Sequence, residues 1–159
     1  MTMTQEVARL KLTQALKECD QHGFHLRLAY EEAVHFKALR TGAHENLSNE
    51  EIRTLDQLLF RFGRLQDAMG LRLLPSLLVL LAEWREGEPF LDKLNRAEQL
   101  GILPSAEGWQ VLRELRNQAS HDYPDNPEMM LSALANLIRH VPDLEKSYLH
   151  ISQIARFRV

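Results

Sequence analysis

The side chains best suited to chemistry lie in one short stretch, 113–123, where Arg116 is followed by His121 and then by Tyr123. An imidazole can accept or donate a proton near neutral pH, and such general acid or base help typically contributes about a hundred- to ten-thousand-fold. A guanidinium binds a phosphate with its planar fork and stabilises the charge that develops on it. His121 could therefore act on a ribose 2′-hydroxyl or a leaving 5′-oxygen while Arg116 holds the scissile phosphate. Cleavage of RNA without a metal is one reaction that this pair of side chains permits.

Arg116 occupies a position where an apolar residue would be expected. At about 100° per residue on a helical wheel, it falls inside the apolar arc formed by Trp109, Leu112, Leu115 and Ala119. The conventional explanation, which position alone favours, is an arginine whose stem packs on the apolar face while its guanidinium reaches water or a carboxylate.

His121 would lie about 140° from Arg116 in an unbroken helix, so the two could not share a site in one chain. Pro124 biases Tyr123 away from helical geometry, which predicts that the helix ends within 120–122. Either that end redirects the imidazole, or a second copy of the helix across a two-fold axis brings arginine and histidine together. Both routes produce a cleft.

Four residues of this stretch, Arg116, Asn117, His121 and Tyr123, match a known motif. The motif is an arginine, a polar residue that is often asparagine, three further residues and a histidine, commonly extended by one residue and a tyrosine. With it the chain resembles the HEPN domains, and more narrowly the small HEPN toxins encoded beside an MNT-type nucleotidyltransferase antitoxin. The segments 97–103 and 109–117 also resemble the family's approach to the motif, whereas the other helices agree only in length and apolar pattern.

The resemblance implies a metal-independent endoribonuclease that is the toxin of a toxin–antitoxin module and works as a homodimer, without a cofactor. Arg116 and His121 would be catalytic, with two copies of each converging at the dimer interface so that one histidine acts as base and the other as acid. Asn117 would position RNA or the histidine, and Arg113 would add a phosphate contact. Tyr123 would be the residue that the antitoxin adenylylates to silence the nuclease.

Two other interpretations remain open. In one, the chain is a non-enzymatic helical subunit that binds a nucleotidyltransferase partner and its nucleotide or substrate. In the other, it is a plain dimerisation bundle in which Arg116 anchors the core edge and His121 ends a helix. Tyr123 likewise has a conventional explanation, a ring packed at the helix end with its hydroxyl in water.

Composition indicates one globular domain, 1–159, with 45% hydrophobic and 26% charged residues. The net charge of −3 argues against a protein that coats nucleic acid, so an RNA site would be a local basic patch. The single cysteine and the lack of a secretory signal in 1–10 predict a cytoplasmic protein. The longest apolar stretch, 71–82, contains Arg72 and Pro75 and is too short to cross a membrane, which predicts a helix buried on several faces or in a subunit interface.

The apolar pattern predicts helices along the whole chain and no strand. The first runs over about 5–21, and Gly23 separates it from a second pattern over 24–36 that is either a separate helix or a kinked continuation. Its expected core stripe consists of Val7, Leu10, Ala15, Leu16 and Cys19, and the second pattern runs through Phe24, Leu28, Ala33 and Phe36. Ser48 and Glu51 form a capping box that starts the next helix.

That next helix carries an apolar stripe through Ile52, Leu55, Leu59, Phe62, Leu65 and Met69. A break or kink is expected at Gly70 or before Pro75. Further on, a helix over 89–100 should end at Gly101, Ser105 should cap the motif helix, Asn126 with Pro127 should start another, and Pro142 should begin the last. The fold class predicted is an all-α, up-and-down antiparallel bundle of four to six helices, forming a two-fold dimer.

Other chemistries have little support. Cys19, His22 and His25 stand three residues apart, but Gly23 disturbs the helical geometry and no fourth ligand is evident, so no metal site is assigned. The sequence has no glycine-rich phosphate loop, no closely spaced cysteine pair and no HExxH motif. Arg53, Arg61 and Arg64 are expected on a solvated helix face, with a phosphate-binding surface as the alternative.

Overall fold

A computed structural model of the chain describes residues 3–121, 123 and 125–159, and the regular structure of these residues is helical with no strand. The helices are α1 Met3–Ala33, α2 Lys37–Thr41, α3 Asn49–Ala68, α4 Leu74–Leu80, α5 Phe90–Gln99, α6 Ala106–Ser120, α7 Pro127–Arg139 and α8 Val141–Arg156. A 3-10 turn, His44–Asn46, precedes α3, and a π-helical turn, Met69–Leu73, joins α3 to α4. Within the described part, six helices have ten residues or more, while α2 and α4 are shorter. The all-α prediction is confirmed.

The first helix, α1, is continuous through Gly23, so the two predicted apolar patterns belong to one helix as far as Ala33. A Cβ placed on Gly23 would meet nothing within 4 Å, which shows that no neighbour requires a glycine there. The second pattern ends beyond this helix, because the separate short helix α2 begins at Lys37.

The predicted core stripe of α1 is wrong at its first two positions. Val7 and Leu10 are 44% and 66% exposed, whereas Ala8 and Leu12 are buried. In the second pattern Phe24 and Leu28 are also exposed, while Leu26 and Ala29 take the buried positions; the predicted core residues Ala15, Leu16, Cys19 and Ala33 are buried as expected. Apolar residues lie on more than one face of α1, so periodicity alone did not identify the face that packs.

The capping box at the start of α3 is confirmed. The Glu51 amide donates to the Ser48 hydroxyl at 3.1 Å, and the Ser48 amide donates to the Glu51 carboxylate at 3.0 Å. Of the predicted stripe, Leu55, Phe62, Leu65 and Met69 are buried and Leu59 is half-buried, but Ile52 is exposed. The helix therefore packs on the face that its periodicity indicated, apart from its first turn.

The predicted irregularity near Gly70 is the π-helical turn, which widens the helix without ending it. Pro75 lies in the first turn of α4, where the missing amide hydrogen removes little. The leucines on either side of Pro75 are buried, namely Leu73, Leu74, Leu77 and Leu78, whereas Leu71 is 65% exposed. The stretch is therefore buried on several faces, as predicted.

Local signals correctly predicted the boundaries of the later helices. Gly101 follows α5 with a φ of +74°, the left-handed conformation that glycine adopts without strain. Ser105 caps α6 by accepting from the Gly108 amide at 2.9 Å, and Asn126 caps α7 by accepting from the Met129 amide at 3.0 Å. The last helix, α8, begins at Val141, one residue before Pro142.

The core is formed mainly by α1 against α3 and α4, and by α6 against α3, α5 and α7. α8 packs on α1 and α7 and closes the bundle. No helix in the described part of the chain is long and apolar enough to cross a membrane. The contact between α3 and α6 positions the predicted site residues, because α6 carries Arg113 and Arg116.

Candidate functional site

Two glycines of α3 and the π-helical turn set how closely α6 approaches. A Cβ on Gly70 would stand 3.0 Å from the Trp109 ring, and a Cβ on Gly63 would stand 3.1 Å from the Arg116 Nε. From Trp109 to Arg116 the chain advances about two turns along α6, and from Gly70 to Gly63 it goes back about two turns. The two helices are therefore antiparallel, and Arg116 is held against the backbone of α3.

Arg116 forms an ion pair with Asp67 of α3. Its two terminal nitrogens donate to the two carboxylate oxygens at 3.2 and 3.1 Å, and the side chains are 31% and 38% exposed. This half-buried pair matches the conventional explanation of the arginine, a stem on the apolar face and a guanidinium on a carboxylate. A guanidinium carries more N–H donors than this pair uses, so Arg116 retains donors for a second acceptor.

A cavity of about 320 Å³ opens beside this ion pair, between α3, α5 and α6. Its lining combines a few charged groups with aromatic and small residues: Gln66, Asp67, Gly70, Leu71, Phe90, Trp109, Arg113 and Arg116. The structure thus brings Arg113 and Arg116, two of the predicted site residues, to the same cavity. The lining charges of two arginines and one aspartate leave a net positive charge for an anionic group.

His121 and Tyr123 form a second group at the end of α6. The helix ends at Ser120, as predicted, and His121 is exposed and extended, with a ψ of 145°. The His121 and Tyr123 rings meet edge to face with their centroids 6.2 Å apart. The Tyr123 hydroxyl donates to the Gln118 carbonyl at 2.8 Å and does not simply point into water. Asp122 and Pro124, to which part of the helix-end prediction refers, lie outside the described residues.

Within one chain, the described residues show no hydrogen bond or ion pair between Arg116 and His121. The arginine faces α3, and His121 follows it by five residues, about 7.5 Å of helix rise, beyond the last turn of α6. Asn117 is exposed on α6 between the two groups. One chain therefore carries the arginine against α3 and the histidine just past the end of the same helix.

Sequence reasoning missed two residues of α3 that belong to this site, Asp67 and Gln66. Asp67 is the partner of Arg116, and Gln66 is 4% exposed with neither amide atom hydrogen-bonded. The available signal was a glycine in mid-helix, Gly63, with Gln66 and Asp67 three and four residues later, on the same side of the helix.

A separate polar cluster joins α1 to α3 and the π-helical turn. Arg61 donates to Nδ1 of His22 at 2.9 Å, while the other ring nitrogen lies 3.4 Å from Glu18. Arg72 makes a two-point pair with the Glu18 carboxylate at 2.8 and 2.7 Å, which lowers the pKa of that carboxyl. Burial lowers the pKa of His22, assisted by the positive charges of Arg61 and Arg64 and opposed by Glu18.

This cluster corrects one expectation about the arginines of α3. Arg53 and Arg64 are exposed, as expected for a solvated face, but Arg61 is half-buried against His22. Cys19 is fully buried, and burial raises the pKa of its thiol to about 12. His25 packs its ring against Phe24, and among the described residues no group of three or more potential ligands is placed to hold a metal ion.

The chain matches no protein-family model, no curated protein and no solved structure. The resemblance to HEPN domains therefore rests on Arg116, Asn117, His121 and Tyr123, on the segments 97–103 and 109–117, and on the all-helical context.

Proposed function

We propose that this chain is a metal-independent endoribonuclease of the HEPN type, the toxin of a toxin–antitoxin module. The observation that carries the proposal is the placement of Arg116. Its guanidinium is held by Asp67 and Gly63 at a cavity with net positive charge, while His121 stands exposed at the end of the same helix. A fixed phosphate-binding group and an accessible proton-transfer group are what transesterification of RNA requires.

In the proposed reaction the ribose 2′-oxygen attacks phosphorus and the bond to the 5′-oxygen breaks, which leaves a cyclic phosphate and a 5′-hydroxyl. One His121 takes the 2′-hydroxyl proton, another gives a proton to the leaving oxygen, and Arg116 stabilises the pentavalent species. Since Arg116 and His121 of one chain lie apart along α6, the proposal includes a homodimer in which two copies of α6 meet.

The remaining motif residues have supporting roles in this proposal. Arg113 lines the same cavity as Arg116 and adds a phosphate contact, and the exposed Asn117 positions RNA or the histidine. Tyr123 is the residue that an MNT-type nucleotidyltransferase antitoxin adenylylates. An adenylate there would place bulk and negative charge beside the His121 ring, which explains inhibition, and the Tyr123 hydroxyl would first have to leave the Gln118 carbonyl.

One observation favours the alternative, a non-enzymatic subunit that binds a nucleotidyltransferase and its nucleotide or substrate. Asp67 already neutralises part of the Arg116 charge, and a scissile phosphate would have to bind next to that carboxylate. An arginine held in this way can serve binding as well as catalysis.

The deciding experiment is cleavage of total RNA and transfer RNA by the full chain in EDTA, after mass spectrometry shows Tyr123 unmodified. Arg116→Ala and His121→Ala are compared with Arg85→Ala and His25→Ala, which remove the same residue types away from the motif. We expect cleavage by the wild type and by both controls, and none by the two motif variants when circular dichroism shows them folded. An inert, unmodified wild type, or motif variants that cut normally, would favour the binding subunit.

A further inference from the structure

Among the described residues that line the cavity, Gln66 is the one whose side-chain polar atoms are buried without a hydrogen-bond partner. It is 4% exposed, and both the amide nitrogen and the amide oxygen are buried without a hydrogen bond. Buried amides are almost always paired, because leaving them unpaired costs free energy. Gln66 lines the cavity, and the last torsion of a glutamine side chain rotates easily. After such a rotation, a group bound in the cavity could supply the missing hydrogen-bond partners.

The walls of the cavity suit a flat ring. Phe90 and Trp109 contribute aromatic surface, and both rings pack close to Gly70, where a Cβ would stand 3.0 Å from Trp109 and 3.5 Å from Phe90. The volume of about 320 Å³ lies at the lower end of small-ligand pockets. Nucleobases bind against aromatic side chains because every base has a π-face.

The polar groups of the cavity suit the rest of a nucleotide. Arg113 and Arg116 lie along the lining with Asp67 as their only counter-charge there, so an anionic phosphate is attracted. Gln66 offers a donor beside an acceptor, which matches base edges that present an acceptor beside a donor. An aromatic wall, an amide and two arginines in one cavity are the elements of a nucleotide site.

We propose that this cavity is a base-binding subsite, in which Gln66 hydrogen-bonds the base of the nucleotide whose phosphate lies at Arg116. The inference rests on the proposed ribonuclease function for the origin of that nucleotide. In this proposal Gln66 is a specificity-determining residue. Its hydrogen bonds to the base favour ligands that carry a base over ligands that offer only sugar and phosphate.

The test is a titration of the full ¹⁵N-labelled chain with the four ribonucleoside monophosphates and with ribose 5-phosphate, followed by NMR. The chain has two tryptophans, so Trp84→Phe assigns the Trp109 indole signal, and Gln66→Met assigns the Gln66 amide signal. We expect the nucleotides to shift both signals. Ribose 5-phosphate should bind with a dissociation constant at least about tenfold higher than that of the nucleotides. Gln66→Met should weaken nucleotide binding about tenfold and leave ribose 5-phosphate unchanged.

Two outcomes would overturn the base-binding subsite. Equal binding of nucleotides and ribose 5-phosphate would show a phosphate site only, and nucleotide binding that leaves the Trp109 and Gln66 signals unmoved would place the ligand elsewhere. Gln66→Met is expected to fold, since it replaces an unpaired buried amide by an apolar side chain of similar length, and its melting temperature should be unchanged or higher. If Gln66→Met melts cooperatively at the wild-type temperature or above it, its weaker binding is not caused by unfolding.

The same variant separates this inference from the proposed function. If RNA is cut and Gln66→Met cuts with the same rate and base preference, the subsite is wrong while the ribonuclease proposal stands. If nucleotides bind as expected and RNA is never cut, the cavity is a nucleotide site and the catalytic proposal fails.

Discussion

Replacing Gly63 by alanine tests whether the position of Arg116 matters for function. The added methyl group would lie 3.1 Å from Nε and 3.2 Å from Nη2 of Arg116, closer than side-chain carbons ordinarily approach. Because these atoms are the far end of a flexible side chain, the guanidinium can move away by a few tenths of an ångström. The ion pair with Asp67, already at 3.1 and 3.2 Å, would be displaced with it.

The expected stability change is small because two effects oppose each other. Alanine is more favourable than glycine inside a helix by about 1 kcal/mol. The pair of Arg116 with Asp67 is about one-third exposed, and such pairs contribute roughly 0–1 kcal/mol. The free energy of unfolding should therefore change by no more than about 1 kcal/mol, which is a shift of roughly 2–4 °C in melting temperature.

The effect on the proposed RNA cleavage should be larger, because catalytic groups must be held within about 0.5 Å of their working position. We expect RNA cleavage by Gly63→Ala to fall about tenfold or more, consistent with the steep dependence of rate on alignment. Gly23→Ala is the matched control, since it makes the same change in α1 with no atom within 4 Å of the new carbon. It should raise stability by up to about 1 kcal/mol and leave cleavage unchanged. Full activity in a folded Gly63→Ala chain would refute the requirement for a fixed Arg116.

Three further outcomes follow from contacts away from the motif. Ser48→Ala removes the acceptor of the Glu51 amide at the start of α3 and should cost about 1 kcal/mol in urea unfolding; an unchanged midpoint would contradict the cap. The buried Cys19 thiol, with its pKa raised to about 12, should resist a disulfide reagent at pH 8 until the chain is unfolded, whereas rapid labelling of the folded chain would show that α1 opens readily. The pKa of His22 is lowered in the folded state, so the unfolded chain binds the proton more readily: stability is full above about pH 6.5 and is lost as pH falls towards the folded pKa. The melting temperature should drop between pH 7.5 and 5.5 in the wild type and less in His22→Gln, and parallel curves would contradict this.

Helix boundaries were predictable because their causes are local. Ser48, Ser105 and Asn126 cap helices through amides three residues away, and Gly101 ends α5 with a backbone conformation that glycine alone adopts easily. Each signal depends only on a few residues close in sequence, so it is independent of the rest of the fold. The buried face of a long helix, in contrast, depends on which other helices pack against it.

Helix α1 shows this limit. It carries apolar residues on its exposed face, where Leu10 and Phe24 are 66% and 62% exposed, as well as on its buried face. The buried face is lined partly by small residues such as Ala8 and Ala29, which a search for large apolar side chains passes over. A dense stripe of small residues allows close packing, and the helices that pack there are recognised only in three dimensions.

The same distinction explains what the sequence revealed of the site. The spacing of Arg116, His121 and Tyr123 indicated one functional stretch, and the arginine was recognised as misplaced among apolar neighbours. Its partner Asp67 lies 49 residues earlier, and no local pattern links the two positions. Gly63 and Gln66 lie on the same side of α3, facing α6 and the cavity. A glycine in mid-helix lowers helix stability unless a close contact requires it, and a buried glutamine lowers stability unless its amide is hydrogen-bonded. Arg116 supplies the first reason, and the proposed base supplies the second. If Gln66→Met weakens nucleotide binding while Gly63→Ala weakens cleavage, these two unfavourable residues of α3 are retained for the ligand and not for the fold.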